Sequence, residues 1–192
     1  MPIVVDHNAR RDELALAMLR IASEHGVEAV SVRGVAKQSG CSPGTVQHYF
    51  PTRDDMLRHA VGLLARRRRD QFLAIPQTDS ARDMVTAAAR TYLPTTDENK
   101  LLAGAGAAFY LASLHDDHLR KQTAASPKKL IEVLTELFSK AQANGELTKD
   151  IDPAKEAHFA WLLLDPGPIL AGYRTVEETF DLLDYHLDRI FV

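Results

Sequence analysis

The sequence predicts an all-α protein. Apolar residues recur at three- and four-residue spacing along most of the chain, as on one face of a helix. Caps and breakers stand at the intervals that helices set: Ser31, Gly40, Ser42-Pro43, Pro51, Pro94 and Asp152-Pro153. No stretch alternates apolar and polar residues as a half-buried strand does, and no internal repeat or low-complexity tract appears.

The elements follow in order. A first helix is expected from about Arg10 to His25, with Leu14, Ala17, Met18 and Ile21 on one face and Gly26 as its stop. Ser31 caps a short helix that Gly40 ends, because glycine takes the positive φ of a helix C-terminus without strain. Ser42 and Pro43 open another short helix, ended by Pro51. Thr52 and Asp55 form a capping-box-like pair for a long helix from about Arg53 to Ala74. Further helices are expected over about Ser80 to Leu93, Glu98 to Leu114 and Asp116 to Ala125. Ser126 with Pro127 opens one that runs to about Asn144, and Asp152 with Pro153 one that runs to Leu164. Asp165-Pro166-Gly167-Pro168 should break the chain before the last helix, Val176 to Phe191. Nine or ten helices result.

Composition bounds the class. The 192 residues are 45% hydrophobic and 26% charged, which is ordinary for a globular chain. Neither a membrane-spanning run nor a signal-peptide pattern is present, so a cytoplasmic location is the expectation. A single cysteine, Cys41, excludes an internal disulfide; it reads as a small buried hydrophobe, with a redox role as the alternative. The formal net charge is −3, unevenly spread. Residues 1–75 hold eleven basic and eight acidic residues, and the remainder twelve and eighteen. A positive end and a negative body suit a polyanion-facing module joined to a separate domain. The run Arg66-Arg67-Arg68-Arg69 reads as a solvated helix face, or as a phosphate or acidic-partner contact.

Two short helices joined by a tight turn make a reader of the DNA major groove. Val35, Ala36, Val46, Tyr49 and Phe50 form the inner faces, which leaves Thr45, Gln47 and His48 pointing elsewhere. Gln can bond adenine with two hydrogen bonds, and the methyl of Thr can touch the thymine methyl. The quoted residues carry a resemblance. Gly26-Val27, Ser31-Val32-Arg33, Val35-Ala36, Gly40-Cys41-Ser42, Gly44-Thr45-Val46, His48-Tyr49-Phe50 and Arg53-Asp54-Asp55-Met56-Leu57 are similar to the DNA-binding domain of the TetR family of repressors. The likeness covers about the first third of the chain. Cys41 stands where Val is usual, Gln47 where an aromatic is common and Arg53 where Lys is common.

The resemblance implies a DNA-binding domain over 8–68, with the helix-turn-helix at 32–51, and a helical effector-binding and dimerisation domain over 69–192. It implies DNA contacts at Arg33, Pro43, Gly44, Thr45, Gln47, His48, Tyr49 and Arg53, with Arg33, Tyr49 and Arg53 on phosphates. It implies a homodimer on a palindromic operator, released by a small molecule, with no cofactor. Aromatic and small residues nominate Phe72, Tyr92, Gly106, Phe109, Tyr110 and Trp161 for the effector cavity. With no basic cluster near them, the effector is expected to be apolar or aromatic. The paired Gly104 and Gly106 weaken their helix, in return for close approach of either a helix or a ligand. The last two helices are apolar on so broad an arc that a second buried face is expected. The subunit interface is accordingly placed on Trp161, Leu164, Phe180, Leu183, Leu187 and Ile190.

Other chemistry is weaker. His115-Asp116-Asp117-His118 has donors for a metal, but acids at a helix start are also favoured by the helix dipole. No Gly-rich phosphate loop or nucleophile elbow suggests an enzyme. The competing expectation is a helical small-molecule binder whose two-helix motif serves another partner.

Overall fold

A computed structural model describes residues 7–192 apart from 77, 79 and 124, and leaves aside the side chains of 125–127. The expected Ser126-Pro127 cap therefore lies outside the described residues. The described elements are α1 (His7–His25), a 3-10 turn (Val27–Ala29), α2 (Val32–Ser39), α3 (Pro43–Tyr49), α4 (Arg53–Leu73), α5 (Ala81–Tyr92) and α6 (Asp97–Ser113). They continue with α7 (Asp117–Thr123), α8 (Ala125–Ala143), α9 (Pro153–Leu163), α10 (Gly167–Leu170) and α11 (Val176–Ile190). The chain is all-α. Among the described residues an isolated bridge pairs Leu147 with Phe191. The expected break at Asp165–Pro168 is followed by a one-turn helix, α10, which overlaps it.

The chain forms two compact units, residues 1–69 with 101–123, and residues 70–100 with 124–192. The boundary expected at 68/69 came from sequence likeness. The packing units instead group 101–123 with the N-terminal residues.

In the first unit, local chemistry sets each helix end. Gly26 follows α1 at φ 81°, and Gly40 ends α2 at φ 64°. The Ser31 hydroxyl accepts from the Gly34 amide, and the Ser42 hydroxyl from the Thr45 amide, both at 3.1 Å. Leu14, Met18, Leu19, Val30, Val35, Val46 and Met56 are fully buried around these helices. Leu102, Ala105 and Phe109 of α6 join the same core. Gly104 lies where α6 crosses α1. A Cβ there would overlap Ser23 Oγ and stand 3.2 Å from Ser23 Cβ. At this glycine, close approach of a helix is the finding. A Cβ on Gly106 would meet only Leu64 Cδ2, at 4.0 Å.

In the second unit, α5, α8, α9 and α11 share a core of Val85, Leu93, Leu134, Phe138, Leu164, Leu183 and Leu187. Asp152 caps α9 through the Ala154 and Lys155 amides. Thr175 and Glu178 form a full capping box on α11. The placement of Leu164, Leu183, Leu187 and Ile190 at a subunit interface is corrected here: all four are buried inside their own chain, at 0 to 5% exposure.

Candidate nucleic-acid interface

The reader is built from its buried side outward. Val46 is fully buried and Phe50 nearly so, which fixes the rotation of α3 about its axis. Pro43, Gly44, Gln47 and His48 then face outward, Thr45 is half-buried, and Arg33 of α2 is exposed. The Thr45 hydroxyl shares a hydrogen bond with Ser42 Oγ at 2.9 Å, which restrains its rotamer. Tyr49 is only 9% exposed and is mainly a packing residue. The His7 ring lies 5.7 Å from it, and the His48 ring meets it edge-on at 5.2 Å. Sequence reading passed over His7; only the return of α1 beside α3 reveals it. The guanidinium of Arg10 titrates above its ordinary value, chiefly through its hydrogen bond to Glu13, with smaller contributions from the nearby Cys41 and Tyr49.

Arg53 differs most from its expected place. Its Nη2 donates to Val27 O at 2.9 Å and to Glu28 Oε2 at 3.3 Å, and its Nε donates to Val30 O at 3.3 Å. The guanidinium is thus engaged within the chain. Beside it, the Thr52 hydroxyl donates to Asp55 Oδ2 at 2.7 Å while the Asp55 amide donates back to Thr52 Oγ1 at 3.1 Å. The Thr52 bond, helped by Arg58, holds the Asp55 carboxyl below the ordinary carboxylate range. Farther along α4, Asp12 of α1 accepts from Arg66 at 2.6 Å and lies 2.9 Å from His59 Nε2. Arg66, from the basic run, is therefore paired within the protein.

The effector candidates divide. In the second unit Tyr92 and Trp161 meet edge-on at 5.4 Å, and Phe72 is half-buried. In the first unit Phe109 is a core residue and Tyr110 is 63% exposed. Two surface clefts, of about 200 and 290 Å³, are lined by none of the six. Phe180 lies beneath the Arg90 guanidinium, 4.9 Å from ring centre to Cζ. The outward faces of α9 and α11 carry Phe159, Leu162, Leu182 and Tyr185, all exposed. Each pair is spaced by three residues, a signal present in the sequence but standing among the many other apolar residues of these two helices.

At the suggested metal cluster, Asp116 Oδ1 accepts from the amides of His118 at 2.8 Å and Leu119 at 3.0 Å. The Leu119 bond contributes most to a carboxyl titrating below its ordinary range. Asp116 acts as a helix cap. Among the described residues no group of three or more His, Cys, Asp and Glu could hold a metal ion. No described helix is long and apolar enough to cross a membrane.

A capped two-helix motif with an exposed polar face, followed by a helical body, defines the class of DNA-binding transcription regulators. Residues 16–60 match the family model described as bacterial regulatory proteins, tetR family, and residues 81–165 match the BetI-type transcriptional repressor C-terminal model. The chain belongs to the TetR family, with a C-terminal domain of BetI type. It is 34% identical over 99 residues to the HTH-type transcriptional regulator PksA of Bacillus subtilis (strain 168), a match covering 51% of this chain and 48% of PksA. It is 27% identical to BetI of Rhizobium meliloti (strain 1021) over 68% of this chain and 64% of BetI. The chain thus spans about half to two thirds of these relatives. Against BetI of Escherichia coli (strain SE11) the match is 26% over 100% of this chain and 96% of BetI. Among solved structures, a TetR-family regulator from Rhodococcus sp. superposes with TM-score 0.83 at 23% identity, covering 96% of this chain and 100% of that one. A regulator from Saccharomonospora viridis, solved in complex with choline, superposes with TM-score 0.82 at 19% identity, covering 96% and 99%. At these identities the structural likeness speaks for the fold.

Proposed function

We propose that the protein is a homodimeric repressor that leaves a palindromic operator when a small molecule binds its C-terminal domain. The carrying observation is the outward set Arg33, Pro43, Gly44, Gln47 and His48, with the half-buried Thr45 beside it, held by two side-chain caps over a buried Val46. In this reading Gln47 and His48 select bases and Arg33 holds phosphate. The second copy is held by Phe159, Leu162, Leu182 and Tyr185 on α9 and α11. Effector and DNA each weaken the other's binding by the same factor, because each favours a different arrangement of the dimer.

The effector is a small molecule held by aromatic groups, with the Tyr92–Trp161 pair as its anchor. Apolar or aromatic compounds are one chemistry for such rings. A quaternary ammonium is the second, since cations of this kind bind aromatic faces, and the S. viridis regulator was solved in complex with choline. Gel shift on the DNA upstream of the protein's own gene tests the reading. A shift there over random DNA is expected, reversed by choline or by a neutral aromatic according to which chemistry is right. Equal binding to random DNA would defeat it.

A further inference from the structure

The two ends of the reader are tied together by one side chain. Val27 and Glu28 lie in the 3-10 turn ahead of α2, and Val30 directly precedes Ser31, the α2 cap. Arg53 is the first residue of α4, reached only after α2, the turn and α3 have been completed. Its three bonds run back 23 to 26 residues. Val27 and Val30 are 4% and 0% exposed, so the acceptor loop is itself anchored in the core. The Glu28 limb is solvent-exposed and contributes little. The two carbonyl limbs hold the clip. Their geometry suits a planar guanidinium, which presents Nε and Nη2 as a rigid fork; a lysine ammonium has no such fork.

We infer that Arg53 is a positioning residue. It sets the angle of the recognition helix by clamping the start of α4 to the backbone before α2, and it does not bind phosphate. This rests on the DNA reading above. A phosphate contact would have to draw the guanidinium off both carbonyls and give up two charge-assisted bonds; Val27 O would keep only the Val30 amide, 3.1 Å away.

The variants Arg53→Ala and Arg53→Lys decide the matter. Binding to the upstream DNA and to random DNA is measured between 50 and 200 mM salt, roughly the range where phosphate contacts show. A clip predicts that both variants lose about ten-fold or more in operator affinity. Salt slope and random-DNA binding stay as in the parent. A phosphate contact predicts that Lys keeps the affinity, and that Ala lowers the slope by about 0.9 on every sequence; that result overturns the inference. So does a lower Tm with operator affinity of the folded protein intact, which would make Arg53 a stability residue only. Amide hydrogen exchange without DNA gives an independent reading. The Gly34 and Val35 amides, bonded to Ser31, should exchange faster in both variants. Unchanged exchange overturns the clip even if the protein proves not to prefer its upstream DNA, a result that would defeat the proposed function separately.

Discussion

Arg53 and Asp55 are two residues apart, and their side chains act over different distances. Arg53 reaches back to the start of the reader, whereas Asp55 completes a local exchange with Thr52 at the α4 N-terminus. The Thr52–Asp55 pairing was legible from spacing alone, because a cap is formed within four residues. The destination of Arg53 was not, because two of its acceptors are backbone carbonyls that any residue supplies. Asp55 carries a testable pH dependence. Its folded carboxyl titrates below the ordinary value, first through the Thr52 hydroxyl and then through Arg58. The folded state therefore binds its proton less readily than the unfolded chain. The stabilisation is present above about pH 4 and is lost as pH falls through the folded value. Urea midpoints at pH 7 and pH 3 should differ less for Asp55→Asn than for the parent. Equal differences would remove Asp55 from the acid response.

At the level of the element, α6 shows how two glycines in one helix can have different causes. Gly104 faces Ser23 of α1 with no room for a Cβ, whereas Gly106 faces open space beside Leu64. Gly104→Ala must push Ser23 aside, which offsets part or all of the helix propensity it recovers, about 1 kcal/mol. Gly106→Ala should instead recover helix propensity, by about 1 kcal/mol. Urea unfolding of the two variants compares them directly. If Gly104→Ala raises the midpoint as much as Gly106→Ala, Gly104 is not a close-approach residue. The glycine pair was visible in the sequence, and both explanations were open there. Only the crossing of α6 over α1 distinguished them.

For the whole molecule the decisive feature is the division of apolar residues on α9 and α11. Leu164, Leu183 and Leu187 are fully buried in the chain's own core, while Leu162 and Tyr185 are about two-thirds exposed on the same pair of elements. In the proposed dimer, Leu162→Glu and Tyr185→Glu should therefore yield monomers in sedimentation with Tm nearly kept. Leu183→Glu should instead lower Tm sharply, since an unpaired charge in that core costs several kcal/mol. A Leu162→Glu protein that stays dimeric would place the interface elsewhere.

What the sequence determined by itself was local. Helix starts and stops at Ser31, Gly40, Ser42 and Asp152 follow from hydroxyl and carboxylate caps and from glycine at positive φ. Each of these needs only its neighbours in the chain, and so the all-α class and the DNA reader could be read before any packing was known. The tertiary structure decided the rest. A helix apolar on most sides has no preferred rotation until a neighbour covers one of them, so α9 could not reveal which residues stay inside. On α11, by contrast, the buried Leu183, Leu187 and Ile190 lie on one stripe among charged residues. Phe109 and Tyr110 are adjacent, yet one is buried and the other exposed, because α1 and α4 meet only one face of α6. Arg53 finds its partners 23 to 26 residues away, at a distance that spacing rules do not reach.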